Sequence, residues 1–445
     1  MAIDETGGIR PFAVTHRLVL RLALPMMLAY LSTPLVGIVN TAVVGQLGSA
    51  ALIGGIAVAA VIFDVIFSVF NFLRGATTGL TAQAFGAGDA TEEQAILFRA
   101  LVLAVICGLV PVILQWPLGR LAFGLMDVHG DVLSAARTYF TIRIWGSPLT
   151  LCNYAVLGWI LGRGQSGRGL VLQTLLNGIN IVLSLALVIG LGWGVAGAAW
   201  ASLAAEAATL LAGLLLAFRQ LDLAHRPALP RVLDGERLRR MMAVNGDMMI
   251  RSLSLLIVYA FFTRAGGHFG QTVLAANAVL MNLYMLGSYY LDGFANAAEQ
   301  LSGRAVGAHY RPAFERVVKL TCLWGFGLVV PVAVLLYAAG PVLIDWIATA
   351  PEVRETARHY LVWAALAPVA AVLAFLMDGI FIGATWSRDM RNMMILSLAV
   401  FLIADGILTP RFGNHGLWIA FLIFLGARSL VFNWRMRVLL PRTFG

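Results

Sequence analysis

From Leu22 to Phe63 the chain carries no charged side chain. A bilayer's hydrocarbon core is crossed by a helix of about 20 apolar residues, so this run has room for more than one crossing. Hydrocarbon offers the backbone no partner, so the crossing segments must bond to themselves, as helices do. Composition extends the point to the whole chain. Apolar residues make up 60% and charged residues 12%, with a mean hydropathy of +0.86. A soluble domain runs nearer about 45–50% apolar and about 25% charged. The reading is an all-α polytopic membrane protein.

Asp4 and Glu5 precede the basic residues, and the first apolar run is too long for a cleaved signal. Cys107, Cys152 and Cys322 lie in separate apolar segments and read as small packing residues. The net charge of +9 fits membrane orientation better than nucleic acid, for which no partner role is expected.

Hydropathy between charged or Gly/Pro-rich breaks gives twelve spans. They fall near 18–46, 52–74, 95–116, 136–161, 169–190, 194–218, 241–264, 272–298, 317–339, 357–382, 391–409 and 414–436. With the amino terminus in the cytoplasm, most of the 31 Lys and Arg fall on that side, including the arginines between 219 and 240. Both termini are therefore expected inside.

An internal repeat stands at a spacing of 221 residues. GLTAQAFGAG (79–88) aligns with QLSGRAVGAH (300–309), and GWILGRGQS (158–166) with GIFIGATWS (379–387). The expected organisation is an N-lobe over 1–218, a cytoplasmic linker over 219–240 and a C-lobe over 241–445. Six spans per half keep the same orientation, so the lobes are related by a pseudo-two-fold along the membrane normal. Parallel-repeat transporters have this plan, with a binding cavity between lobes that rock. GWILG and GIFIG are small-xxx-small faces, and close helix packing is their expected role.

Seven acids fall within the spans: Asp64, Glu206, Asp247, Asp292, Glu299, Asp378 and Asp405. A charge at bilayer depth costs about 2.5–3.5 kcal/mol on insertion scales, so each needs a partner, water or a proton. Asp247 and Arg251, four apart on one helix face, form a candidate structural ion pair. Glu206 and Asp405 suit structural pairing or capping. Glu299 sits where its helix meets a basic loop. Asp64, Asp292 and Asp378 lack a cation within one helical turn and are the better candidates for a gated proton or cation site.

Amides at the same depth are Asn40, Asn177 and Asn180. Such groups either bond across a helix interface or line a cavity and orient a substrate. Pro25 and Pro34 interrupt the first helix's hydrogen bonds and are hinge candidates. The Gly-x-Gly-Asp string at 86–89 falls in a polar loop, which excludes an intramembrane protease reading. No HExxH, GxSxG or P-loop string occurs, so neither an enzyme nor an ATPase is expected, and no cofactor.

The chain resembles the multidrug and toxic compound extrusion (MATE) family, in its DinF branch, along nearly its full length. The resemblance rests on NTAVVGQLGSA (40–50), FNFLRGATTGLTAQAFGAGD (70–89), LNGINIVLSLALVIGLGWGVAGAA (176–199), LDGFANAAEQLSGRAVGA (291–308) and DGIFIGATWSRDMRNMM (378–394). It implies two six-helix lobes in a V and export of organic, often cationic, compounds in exchange for H⁺ or Na⁺. By motif position, Asn40, Asn180 and Ser184 would line an N-lobe pocket. Asp378 matches a C-lobe acid implicated in cation binding, with Na⁺ there one possibility. Asp292 and Glu299 sit in the branch's DGFA…AE motif.

Two departures matter. The family usually has aspartate where this chain has Asn40, and commonly aspartate at the position of Ser184. An amide cannot titrate, so either coupling passes to Asp64, Asp292, Glu299 or Asp378, or the protein is coupled differently. The expected function is cation-coupled efflux of amphipathic organic compounds by a monomer in a bacterial cytoplasmic membrane. A flippase for a lipid-linked intermediate is the alternative, favoured by a basic cavity. With Arg251 read as the main buried base among several acids, export leads.

Overall fold

The computed structural model describes residues 10–46 and 49–445. Among the described residues it is helical with no strand. The helices are α1 (His16–Gly45), α2 (Ala50–Phe70), α3 (Phe72–Ala87), α4 (Ala90–Ile113) and α5 (Gln115–Met126). There follow α6 (Gly130–Arg143), α7 (Ser147–Gly162), α8 (Ser166–Ser184), α9 (Gly194–Phe218) and α10 (Leu229–Val232). The last are α11 (Gly235–His268), α12 (Gln271–Gly307), α13 (Arg311–Ile347), α14 (Pro351–Gly383) and α15 (Ser387–Phe444).

These cover the twelve expected spans once three composite helices are resolved. Helices α2 and α3 make one span that breaks at Asn71, and α6 and α7 make another across a 3₁₀ turn at Ile144–Gly146. Helix α15 is two spans divided at Gly413, whose φ of 59° and ψ of −138° no side chain would tolerate cheaply. Reciprocal amide bonds between Asn277 and Asn414, at 2.7 and 3.0 Å, hold the chain immediately after that break.

Two short helices had no counterpart among the expected spans. Helix α5 is too short to cross a bilayer, and Trp116, Leu121 and Leu125 on it are exposed. An amphipathic segment of this kind suits the headgroup region. Helix α10 belongs to the segment 219–240.

The chain divides into two compact units. One is Leu28–Met242; the other is Ala243–Gly445 joined by the segment ending at Met27. The first half of α1 thus packs with the carboxyl-terminal unit, where Val19, Leu22 and Ala23 enter the core of α12 to α15. A methyl group at Gly293 of α12 would stand 2.9 Å from the Ala23 carbonyl oxygen. That approach is why the first half of α1 leaves the helices next to it in sequence.

The segment 219–240 is ordered against α4 inside the Leu28–Met242 unit. Arg99, 3% exposed, donates to the carbonyls of Val232 (3.1 Å) and Arg231 (3.4 Å) and pairs with Glu92 at 2.9 Å. Arg231 reaches back to Asp89 at 2.7 Å, and Arg237 pairs with Glu92. Asp89 caps α4 by accepting from the Glu92 N–H at 2.9 Å, so the cap and the clamp share one acid.

The small-residue faces pack as the sequence predicts, and in the same way in each half. A methyl at Gly158 of α7 would stand 2.6 Å from the Arg74 carbonyl oxygen of α3, and one at Gly162 2.5 Å from Thr81. Gly379 and Gly383 of α14 lie equally tight against the Ala295 and Glu299 carbonyls of α12.

Candidate transport site

In the Leu28–Met242 unit, polar side chains of α1, α8 and α9 bond in two sets. Asn40 Nδ2 donates to Asn180 Oδ1 at 3.0 Å, and Asn180 Nδ2 donates to Ser202 Oγ at 2.9 Å. Asn177 Nδ2 donates to Ser32 Oγ at 2.9 Å while accepting from Gln173 at 3.3 Å. The amides therefore bond across helix interfaces. Two oxygens on these helices, Asn40 Oδ1 and Ser184 Oγ, are buried without a hydrogen-bond partner. Directly after Ser184, α8 widens into a π-helical turn, Leu185–Gly190. Such turns often mark sites where a helix gives up regular bonding for function.

Glu206 of α9 sits in the same unit in a closed arrangement. Arg143 grips both carboxylate oxygens, at 3.0 and 2.5 Å, and Thr150 donates to one at 2.7 Å. The guanidinium lies over the Phe67 and Phe63 rings, 5.1 and 5.5 Å from their centroids. Both carboxylate oxygens are bonded, which suits a structural role. Asp64, one residue from Phe63, is exposed.

The carboxyl-terminal unit holds the denser charge. Asp378 of α14 is 7% exposed, and its Oδ2 accepts from both Arg251 of α11 and Arg428 of α15. Its Oδ1, the Arg251 Nε and the Arg428 Nε are buried with no hydrogen-bond partner. Tyr259 shares a hydrogen bond with Tyr284 and lies within electrostatic range of Arg428, Asp292 and Arg251. Side chains from α11, α12, α14 and α15 thus meet in one cluster. Asp292 is half-buried at its edge, and Glu299 is 3% exposed farther along α12.

Three expectations change here. Asp247 and Arg251 do not pair with each other. Asp247 accepts from Arg391 at 2.6 Å and from Ser387 at 2.9 Å, while Arg251 turns to Asp378. Residues four apart share a helix face, but buried charges choose the best-placed partner on neighbouring helices. Asp378, without a cation nearby in sequence, has two in space. Na⁺ does not fit there, since it would be a third cation on one carboxylate. Finally, Arg251 is not the main buried base: Arg428 and Arg99 are each 3% exposed and Arg143 is 9% exposed. The sequence signal for Arg143 and Arg428 was available, because an arginine inside an apolar span costs as much as an acid there.

The MatE family profile matches residues 25–186 and 248–405, one stretch in each half. DNA damage-inducible protein F of Escherichia coli K12 is 38% identical over 425 residues, covering 93% of this chain and 91% of that protein. The probable multidrug resistance protein NorM of Caulobacter vibrioides is 26% identical over 443 residues, covering 94% and 90%. Among solved structures, the outward-facing conformation of a multidrug resistance MATE family transporter of the MOP superfamily is similar with a TM-score of 0.85. That likeness covers 96% of this chain and 97% of that one at 21% identity, and speaks to fold.

Proposed function

The chain belongs to the MatE, or multidrug and toxic compound extrusion, family, and on that premise we propose that it expels amphipathic organic compounds in exchange for H⁺ or Na⁺. It works in the cytoplasmic membrane of a bacterium with both termini inside, as a monomer and without catalytic chemistry. The functional lobes follow the sequence halves 1–218 and 241–445, joined by 219–240, with the segment ending at Met27 packed on the second.

One observation carries the reading: within apolar spans, each unit buries a set of amide and charged groups with unsatisfied atoms. Buried polar groups are costly unless bonded, so partly bonded sets at bilayer depth favour passage of something polar. In the first unit the unsatisfied atoms are Asn40 Oδ1 and Ser184 Oγ, and Asn177 and Asn180 complete the pocket. In the second they are the Arg251–Asp378–Arg428 group, and the neighbouring acids Asp292 and Glu299 carry the coupling cation. Asp64 serves as the corresponding acid of the first half. Pro25 and Pro34 bracket the point in α1 where the two units part, after Met27, and act as the hinge.

Reconstitution in proteoliposomes tests this. An imposed pH or Na⁺ gradient is expected to drive movement of a fluorescent amphipathic probe. Movement indifferent to both gradients contradicts the proposal.

A further inference from the structure

We propose that the Arg251–Asp378–Arg428 cluster binds the anionic head of an amphipathic substrate, a carboxylate, sulfonate or phosphate, so that this transporter handles organic anions. The inference rests on the efflux reading and specifies the substrate class at that site. Each guanidinium offers five N–H donors in a rigid fork suited to two-oxygen anions. Here two such forks converge on a single carboxylate oxygen of Asp378. The Nε of each arginine is buried with no acceptor, and Arg428 is 3% exposed. Donors exceed acceptors inside an apolar span, where an unmade charged hydrogen bond is expensive.

An incoming anion supplies the missing oxygens. Asp378 already plays that part in miniature, so it is the substrate's competitor for the two arginines. Asp292 lies within electrostatic range of Tyr259, as do the two arginines. Tyr259 also lines a cavity of about 330 Å³ with Phe262, Met281, Met285, Thr263 and Asn282. Through Tyr259, which lies within electrostatic range of both arginines, this cavity offers an apolar body a place.

The test uses two probes that differ only in charge, 1-pyrenesulfonate and 1-pyrenemethylammonium. Binding to the full-length protein in phosphatidylcholine nanodiscs is read by pyrene fluorescence. The sulfonate is expected to bind at least tenfold tighter than the ammonium. Arg428→Gln should weaken sulfonate binding at least tenfold, and Asp378→Asn should strengthen it several-fold by removing the competitor. A purely structural cluster would not give opposite signs for the two variants. The double variant Asp378→Asn/Arg428→Gln removes both charges, guards against misfolding of the single ones, and should still bind the sulfonate weakly. Tighter ammonium binding, or equal effects of the two single variants, overturns the inference while leaving efflux intact. Binding of neither probe, together with no gradient-driven transport, overturns the efflux reading itself. Phosphatidylglycerol in the nanodiscs should leave sulfonate affinity unchanged. Displacement by that lipid would assign the arginines to a phospholipid headgroup and overturn the substrate claim.

Discussion

Asn40 shows what an amide does at a position where an acid would titrate. Its N–H group holds Asn180, and a carboxylate at 40 can make that bond only while protonated. Asn40→Asp is therefore expected to be destabilised by about 1–3 kcal/mol at neutral pH and to recover as the pH falls and the acid regains a proton. Thermal melting in nanodiscs at pH 5 and pH 8 checks the sign; the unaltered chain lacks this increment. For the Arg143–Glu206 pair, Glu206→Gln alone should cost about 3–5 kcal/mol, because it strands a buried guanidinium. Replacing both residues with methionine should recover much of that loss in a double-mutant cycle. The motif positions of Asn40 and Asn180 were legible in sequence, but their mutual bond was not, since 140 residues separate them. Partner choice at Asp247 and Arg251 was misread for the same reason: spacing along one helix is blind to Arg391 and Asp378 on others.

At the level of elements, the glycine faces were fully legible because a four-residue spacing of small residues has a single geometric use. Gly158→Ala and Gly379→Ala are each expected to lose about 1–3 kcal/mol by forcing helices apart. Gly178→Ala, with nothing near its added methyl, should be neutral or stabilising by up to about 1 kcal/mol. Thermal unfolding of the three variants separates close packing from general intolerance of glycine substitution. The segment 219–240 read as a linker from its charge. Its docking on α4 was hidden because the acceptors for Arg99 are backbone carbonyls, which no sequence motif displays. Arg99→Ala should free that segment, and limited trypsin digestion should then cut after Arg219 and Arg231 several-fold faster. An unchanged cutting rate would mean the clamp contributes nothing to holding the segment.

The whole molecule reuses one helix arrangement with different charges. In the first half an acid on α9 meets an arginine at the end of α6; in the second an acid on α14 meets an arginine on the last span. The twelve spans were legible because apolar length is a local property. Assignment of the first half of α1 to the carboxyl-terminal unit was not, because it depends on the close approach at Gly293. Helix α1 contributes its first half to one unit and its second half to the other. The most direct measurement follows cation and organic substrate together: proteoliposomes loaded with a pH- or Na⁺-sensitive dye receive the substrate from outside. Substrate entry should push H⁺ or Na⁺ the opposite way, and Asp292→Asn should uncouple the two. Substrate moving with no counter-movement of either cation would contradict the account.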